Sequence, residues 1–157
     1  MDKNVANSEK PGEISGDDTF QIACFSVDDL LCGVDINLVQ EINRNLAITQ
    51  VPLSREYVVG IMNLRGRIVS VINLGKKLGL SPCQLGIQSR VIIVNWEDEY
   101  IGLLVERIKE VVTLAKQDIA PPPSNLEGNK ARYFTGAYRH RDELISILDV
   151  KAVLTED

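Results

Sequence analysis

The feature that most constrains this chain is a repeat of itself. Displacing the 157-residue sequence by 69 positions lays QIACFSVDDLLCG (21–33) on RVIIVNWEDEYIG (90–102). Each stretch is an apolar run, an acidic pair (Asp28-Asp29 or Glu97-Asp98), a second apolar run and a glycine, Gly33 or Gly102. The same displacement pairs Ile36 with Val105, Val39 with Ile108, Glu41 with Glu110, Ile42 with Val111 and Pro52 with Pro121. Beyond a longer loop around Glu127-Gly128-Asn129 the displacement becomes 76. GIMNLRGRIVSVINL (60–74) then lies on GAYRHRDELISILDV (136–150), with Gly60 on Gly136, Arg65 on Arg141 and Ser70 on Ser146. Two gapless blocks in the same order identify a duplicated unit, and a fold must satisfy both copies.

Each copy reads as short runs rich in Val, Ile and Phe, punctuated by Gly, Pro, Asn and Asp, which is the pattern of strands and tight turns. Five short strands per copy without a long helix predict an all-β protein of two tandem five-stranded barrels, because closure removes exposed sheet edges. The expected barrels are residues 19–85 and 89–154, sharing an interface because neither is large enough to be strongly stable alone. Three short helices are predicted. One runs through Ile36, Val39 and Ile42 behind Asp35 as N-cap, one follows Asn73, and one follows Asp149. Residues 1–18 have too few apolar side chains to offset chain entropy and are expected to be a disordered tail.

The net charge of −5 belongs to the ends. Residues 1–18 hold two Lys and five acids, and 19–154 hold 15 bases and 15 acids. A neutral body argues against a nucleic-acid binder held by phosphate contacts. One acid-free stretch, Tyr57 to Trp96, contains Arg65, Arg67, Lys76, Lys77 and Arg90, and is read as solvated strands rather than as a binding patch. The aromatic side chains, among them Phe25, Trp96 and Phe134, are expected in core positions rather than as a base-stacking platform. No apolar run approaches the ~20 residues of a membrane span and the N-terminus lacks a signal-peptide core, so a soluble, cytoplasmic protein is expected. The three cysteines lack CxxC spacing. With Asp28-Asp29 as a two-residue turn, Cys24 lies opposite Gly33 and Cys32 opposite Phe25. The two thiols then face opposite ways, as small buried side chains.

Catalytic chemistry is absent from the pattern. The single histidine, His140, sits in the basic turn RHR, and no triad spacing, phosphate loop, HExxH or Cys/His metal cluster occurs. The chain is therefore expected to be no enzyme and to hold no cofactor or metal. Two features look like binding. In GIMNLRG (60–66) glycines bracket a strand with Arg65 at its tip, where a planar guanidinium is free to meet a carboxylate. In VQEI (39–42), expected on the short helix, Val39 and Ile42 bracket Glu41.

These segments, FSVDDLLCGVDINLVQEI, ITQVP, GIMNLRGRIVSVINLGKKLG, IGLLVERIKEV and TGAYRHRDELISILDV, resemble the successive signatures of the CheW-family chemotaxis coupling proteins, from about Phe20 to Leu154. The combination of GVDI…VQEI with GIxNLRGxIVxVI is the specific part. The resemblance implies two SH3-like barrels and a non-catalytic adaptor. Its implied partners are the cytoplasmic hairpin tip of a chemoreceptor (a methyl-accepting chemotaxis protein) and the regulatory domain of the CheA-type histidine kinase, in arrays at the inner face of the membrane. It implies a receptor-binding surface of Val39, Glu41, Gly60, Asn63, Leu64 and Arg65, and leaves the kinase-binding residues unassigned. Two other readings remain open on sequence: a coupling protein of a related non-flagellar pathway, and a small-barrel oligonucleotide-binding protein.

Overall fold

The structure is a computed structural model that describes residues 18–44, 47–122 and 130–155. The expected tail therefore lies outside the described residues except for Asp18, as does the loop at Glu127-Gly128-Asn129. The strands are β1 (Thr19–Val27), β2 (Leu30–Asp35), β3 (Val39–Asn43), β4 (Val58–Leu64), β5 (Arg67–Asn73), β6 (Arg90–Trp96), β7 (Glu99–Val105), β8 (Arg107–Ala115), β9 (Phe134–His140) and β10 (Glu143–Leu148). Two short helices, α1 (Leu74–Lys77) and α2 (Val150–Thr155), follow β5 and β10.

The strands form two five-stranded sheets, ordered β8-β1-β2-β10-β9 and β3-β6-β7-β5-β4: the all-β pair of barrels that the repeat implies, SH3-like as the resemblance implies. Each barrel closes the same way. The chain after the edge strand β3 or β8 bridges to the opposite edge, Thr49 to Ile61 on β4 and Ala120 to Ala137 on β9. The repeat also recurs in detail: β5 pairs parallel with β7 at Val71 and Gly102, and β10 with β2 at Ile147 and Gly33.

The division of the chain differs from the expected one. The barrels do not part near residues 85–89. One is continuous, strands β3 to β7 over residues 39–105, and the other joins residues 19–35 to residues 107–148. The connectors are the reason. A single residue, Glu106, separates β7 from β8, whereas a hairpin needs at least about two loop residues to reverse direction. The chain therefore runs straight from one sheet into the other. Ile36–Leu38, one 3-10 turn, makes the matching crossing between β2 and β3.

That turn is all that remains of the first expected helix. Asp35 caps it, accepting a hydrogen bond from the Asn37 N–H at 2.9 Å, but Val39–Asn43 is a strand paired with β6. The three-residue spacing of Ile36, Val39 and Ile42 is overridden because Val39, Glu41 and Asn43 alternate inward along an edge that β6 can complete. The other two helices stand with their expected caps. The Asn73 Oδ1 accepts from the Lys76 N–H at 3.2 Å, and the Asp149 Oδ1 from the Ala152 N–H at 3.1 Å.

The turn at Asp28-Asp29 sets Cys24 opposite Gly33 and Cys32 opposite Phe25. Their opposite orientation decides the packing. Ile22 and Cys24 join Val112, Leu114, Ile145 and Ile147 inside the split barrel. Phe25, Val27, Cys32 and Val34, on the other face of the same hairpin, join the larger cluster with Val91–Val94, Leu103 and Val71. The β1–β2 hairpin is thus lining for one barrel and cover for the next. The free thiols of Cys24 and Cys83 are pushed up to about 11, and that of Cys32 further still, chiefly because burial disfavours the thiolate.

Candidate functional site

β3 brings Glu41, and the β4–β5 turn brings Arg65, to one end of the continuous barrel. The turn is Arg65-Gly66, with φ of +53° and +83°, and Leu64 pairs with Arg67 across it. Left-handed geometry at both central residues is the two-residue hairpin turn that matches strand twist. The Asn63 Oδ1 accepts the Gly66 N–H at 2.9 Å and fixes the loop from its side. Arg65 is then aimed back across the barrel mouth, where its Nη1 lies 2.6 Å from the Glu41 Oε1. The other Glu41 oxygen accepts from the Asn43 Nδ2 at 3.1 Å. The Arg65 side chain stays 76% exposed while Glu41 is 21% exposed. The carboxylate is seated and the guanidinium faces water.

Of the six residues singled out from sequence, the structure brings together Glu41, Arg65 and Asn63. Val39 is half-buried on the same face of β3 as Glu41 and packs on the main core. Gly60 and Leu64 lie inside. Leu64 is a core residue. Gly60 is buried under the closing loop, where a Cβ would stand 2.1 Å from the Thr49 carbonyl oxygen, so glycine is needed there for packing. Ile42, expected to share the helix face, is turned to solvent at 41% exposure, and Ile68 on β5 at 61%.

The duplication repeats the charge pair, which the sequence reading did not draw out. Glu110 on β8 and Arg141 in the β9–β10 turn are the positions matched to Glu41 and Arg65, and they too are paired, at 3.7 Å. The register that aligns Glu41 with Glu110 and Arg65 with Arg141 carried that signal. In this copy His140, the last residue of β9 and not of the turn, adds a contact from Nε2 to Glu110 at 3.2 Å.

Most bases of the acid-free stretch are engaged locally, Lys76 being exposed. The Arg67 guanidinium sits 4.1 Å over the Tyr100 ring, the buried Lys77 ammonium 4.1 Å over that of Tyr57, and Arg90 donates to the carbonyls of Ile87 and Ser89. Among the described residues no group of three or more His, Cys, Asp or Glu could hold a metal ion, and no helix is long and apolar enough to cross a membrane.

Comparison with known proteins places this geometry among relatives. The family model described as CheW-like domain matches residues 21–157. The chain is 32% identical to the chemotaxis protein CheW of Treponema pallidum (strain Nichols), over 85% of this chain and 81% of that one. It is 29% identical to the chemotaxis protein CheW of Helicobacter pylori (strain ATCC 700392 / 26695), over 90% and 85%. The crystal structure of the scaffolding protein TtCheW from Thermoanaerobacter tengcongensis superposes with a TM-score of 0.79 at 31% identity, covering 88% of this chain and 89% of that one.

Proposed function

The chain belongs to the CheW family, and from that premise we propose that it is a non-catalytic adaptor coupling the cytoplasmic tip of a chemoreceptor to the CheA-type histidine kinase, within arrays at the inner face of the membrane. The observation that carries the receptor side is the Arg65–Glu41 pair. A largely exposed ion pair contributes about 0–1 kcal/mol to folding, so stability does not account for a turn that holds a guanidinium in one direction. A pre-positioned planar fork beside a half-buried Val39 and an exposed Ile42 suits the side of a helical hairpin that carries a carboxylate and apolar neighbours. Asn63 belongs to the same surface as the side chain that sets the turn. Gly60 and Leu64 act from beneath it, by fixing β4. The neutral body, and the local partners of most bases in the acid-free stretch, disfavour the oligonucleotide reading.

Paired calorimetry on Arg65→Ala tests this. The expected outcome is a melting transition within about 1 kcal/mol of the parent, with binding to a receptor-tip hairpin weakened by roughly 1–3 kcal/mol. Arg65→Lys should restore part of that affinity, since it keeps the charge and loses the fork. Unchanged receptor affinity in the folded Arg65→Ala protein removes this face from the proposal.

A further inference from the structure

The outer faces of the two barrels, equivalent by duplication, are covered to different extents. Ile145 and Ile147 point into the split barrel, so Ser146 and Leu148 on the same strand point out. That outer face is covered by α1 and the chain that follows it. Leu78 and Cys83 join Val27, Cys32, Tyr133 and Leu148 in the main core, Ser146 is fully buried, and the Asp28 carboxylate accepts the Ser81 N–H at 3.2 Å. The Asn73 side chain holds this segment down, accepting the Cys83 N–H at 3.0 Å and donating to its carbonyl at 3.1 Å. The matched positions on the continuous barrel are Tyr57, Ser70, Ile72, Trp96 and Ile101, with Leu154 of α2 for Leu78 and Glu97 for Asp28. Backbone bonds confirm the match. The Asn73 N–H donates to the Tyr57 carbonyl as the Asp149 N–H donates to that of Tyr133, and Ser70 pairs with Ile101 as Ser146 pairs with Cys32. After α2, however, no described segment crosses the sheet. Ser70 is exposed, Trp96, Ile101 and Leu154 are only half-buried, and a cavity of about 310 Å³ opens among them.

We propose that this cavity is a binding site for a small organic ammonium ion, a protonated amine on an apolar body the size of a phenyl ring. The walls set the apolar part, with Ile72, Ile101, Val153 and Leu154 around the space. Its volume lies at the lower end of the roughly 300–1,000 Å³ of small-molecule sites, and an apolar cavity of about 150 Å³ already admits benzene. The rim sets the charge. Glu97 and Glu99 line the cavity, no Lys or Arg does, and neither carboxylate has an ion pair or side-chain hydrogen bond among the described residues. The sister site shows what the first of these carboxylate positions takes when the chain supplies it: an N–H donor, from Ser81. The rings of Trp96 and Tyr57 add aromatic walls that attract a cation. The bases on the surrounding elements are placed elsewhere. The buried Lys77 ammonium lies 4.1 Å over the Tyr57 ring, so this wall already holds one ammonium from the side of α1. Arg67 is over Tyr100, which points to the other face of β7, and Lys151 lines a separate cavity with Asp35 and Asp149. The Trp96 Nε1–H is buried without a hydrogen-bond partner among the described residues, a donor left for an oxygen on the ligand. The site shares no residue with the Glu41–Arg65 face, so its failure leaves the receptor reading untouched.

Trp96 is the only tryptophan of the chain, so its fluorescence reports on the site directly. Titrating the full chain with phenylethanolamine should change the Trp96 emission saturably, with half-saturation at about 1 mM or below. Styrene glycol, which replaces the ammonium by a hydroxyl, should bind roughly tenfold more weakly, and mandelate, which replaces it by a carboxylate, should not bind. Glu97→Asn together with Glu99→Gln removes both charges at exposed positions, and asparagine suits the φ of +50° at residue 97. This variant should bring the amine and the glycol to near-equal affinity with an unchanged melting temperature. Ser70→Phe fills the cavity from an exposed strand position and should abolish the emission change. If Ser70→Phe does not fold, the charge-removal variant decides alone. No saturable change, equal binding of amine and glycol by the parent, or amine binding undiminished in either folded variant overturns the proposal.

Discussion

The barrel of residues 39–105 is laid down by one uninterrupted stretch of chain, whereas its sister closes only when residues 107–148 return to the hairpin of residues 19–35. Both derive from the same repeated pattern, and both end in a hairpin turn whose arginine pairs with a glutamate on the edge strand. The difference teaches that a unit of sequence duplication need not be a unit of folding. Each copy contributes its first hairpin to the other copy's barrel, because the connector behind that hairpin, Ile36–Leu38 as a 3-10 turn or Glu106 alone, carries the chain into the other sheet. The hairpin faces left over then pack together, and Phe25, Val94 and Leu103 share one core.

Cutting the chain is the severest way to break this comparison. A fragment of residues 19–88 contains the whole first repeat, yet it leaves β3 and β5 without β6 and β7, and β2 without β10. It should show no cooperative melting and should aggregate through its exposed apolar faces. A fragment of residues 39–105 contains every strand of one sheet and should retain strand signal by circular dichroism. A cooperatively melting 19–88 fragment beside a disordered 39–105 fragment would reverse the assignment of barrels.

Next in size are the glycines under the two closing loops. Gly60→Ala forces a Cβ to 2.1 Å from the Thr49 backbone oxygen, at a φ of +155°, and should cost about 3 kcal/mol in denaturant melts. Gly136→Ala meets the Ile119 Cγ2 at 2.5 Å and the Ala120 oxygen at 2.6 Å. The Ile119 methyl can give way but the backbone oxygen cannot, and with less crowding than at Gly60 the cost should be about 2 kcal/mol. Equal costs would mean that the two closures are equally tight.

The turn arginines sharpen the functional side. Arg65→Asn creates Asn-Gly at a turn that is left-handed at both positions, the pairing such turns favour, and Arg141→Asn places an asparagine at φ +49°. Both variants should melt within about 0.5 kcal/mol of the parent or slightly above it. Only Arg65→Asn should weaken binding of the receptor tip. A matching loss from Arg141→Asn would extend the receptor surface to both barrels.

The smallest effect is on alkaline stability. Cys24 lies in the core of the split barrel and Cys83 in the larger core. Both thiols are raised from 9.0 to about 11 by burial. The unfolded chain gives up these protons near pH 9 and the folded chain near 11, so stability is full below about pH 9 and declines through that window. A melting temperature flat to pH 9 and falling above it, in a single transition for both barrels, is the expected record. The native thiols should also resist alkylation at pH 8.

What the sequence determined by itself was local and periodic. Alternating Val and Ile runs with acidic or Arg-Gly turns fixed the hairpins. Asn73 and Asp149 fixed the starts of the two α-helices, and the 69- and 76-residue displacements fixed which glycines and charges correspond. Glu41 and Arg65 were legible as separate candidates, and which carboxylate the guanidinium meets was not. The tertiary structure decided the rest. A helical spacing at 36–42 yielded to an edge of β6 that needed a partner, because pairing supplies hydrogen bonds that one isolated helical turn cannot. Gly60 and Leu64 moved from the surface to the interior because their neighbours, Thr49 and the main core, come from distant parts of the chain. Which barrel each hairpin completes was invisible in the residues of the hairpin. It depends on the connectors: Glu106 alone cannot reverse the chain, and Ile36–Leu38 is taken up as a 3-10 turn that carries it onward into the other sheet.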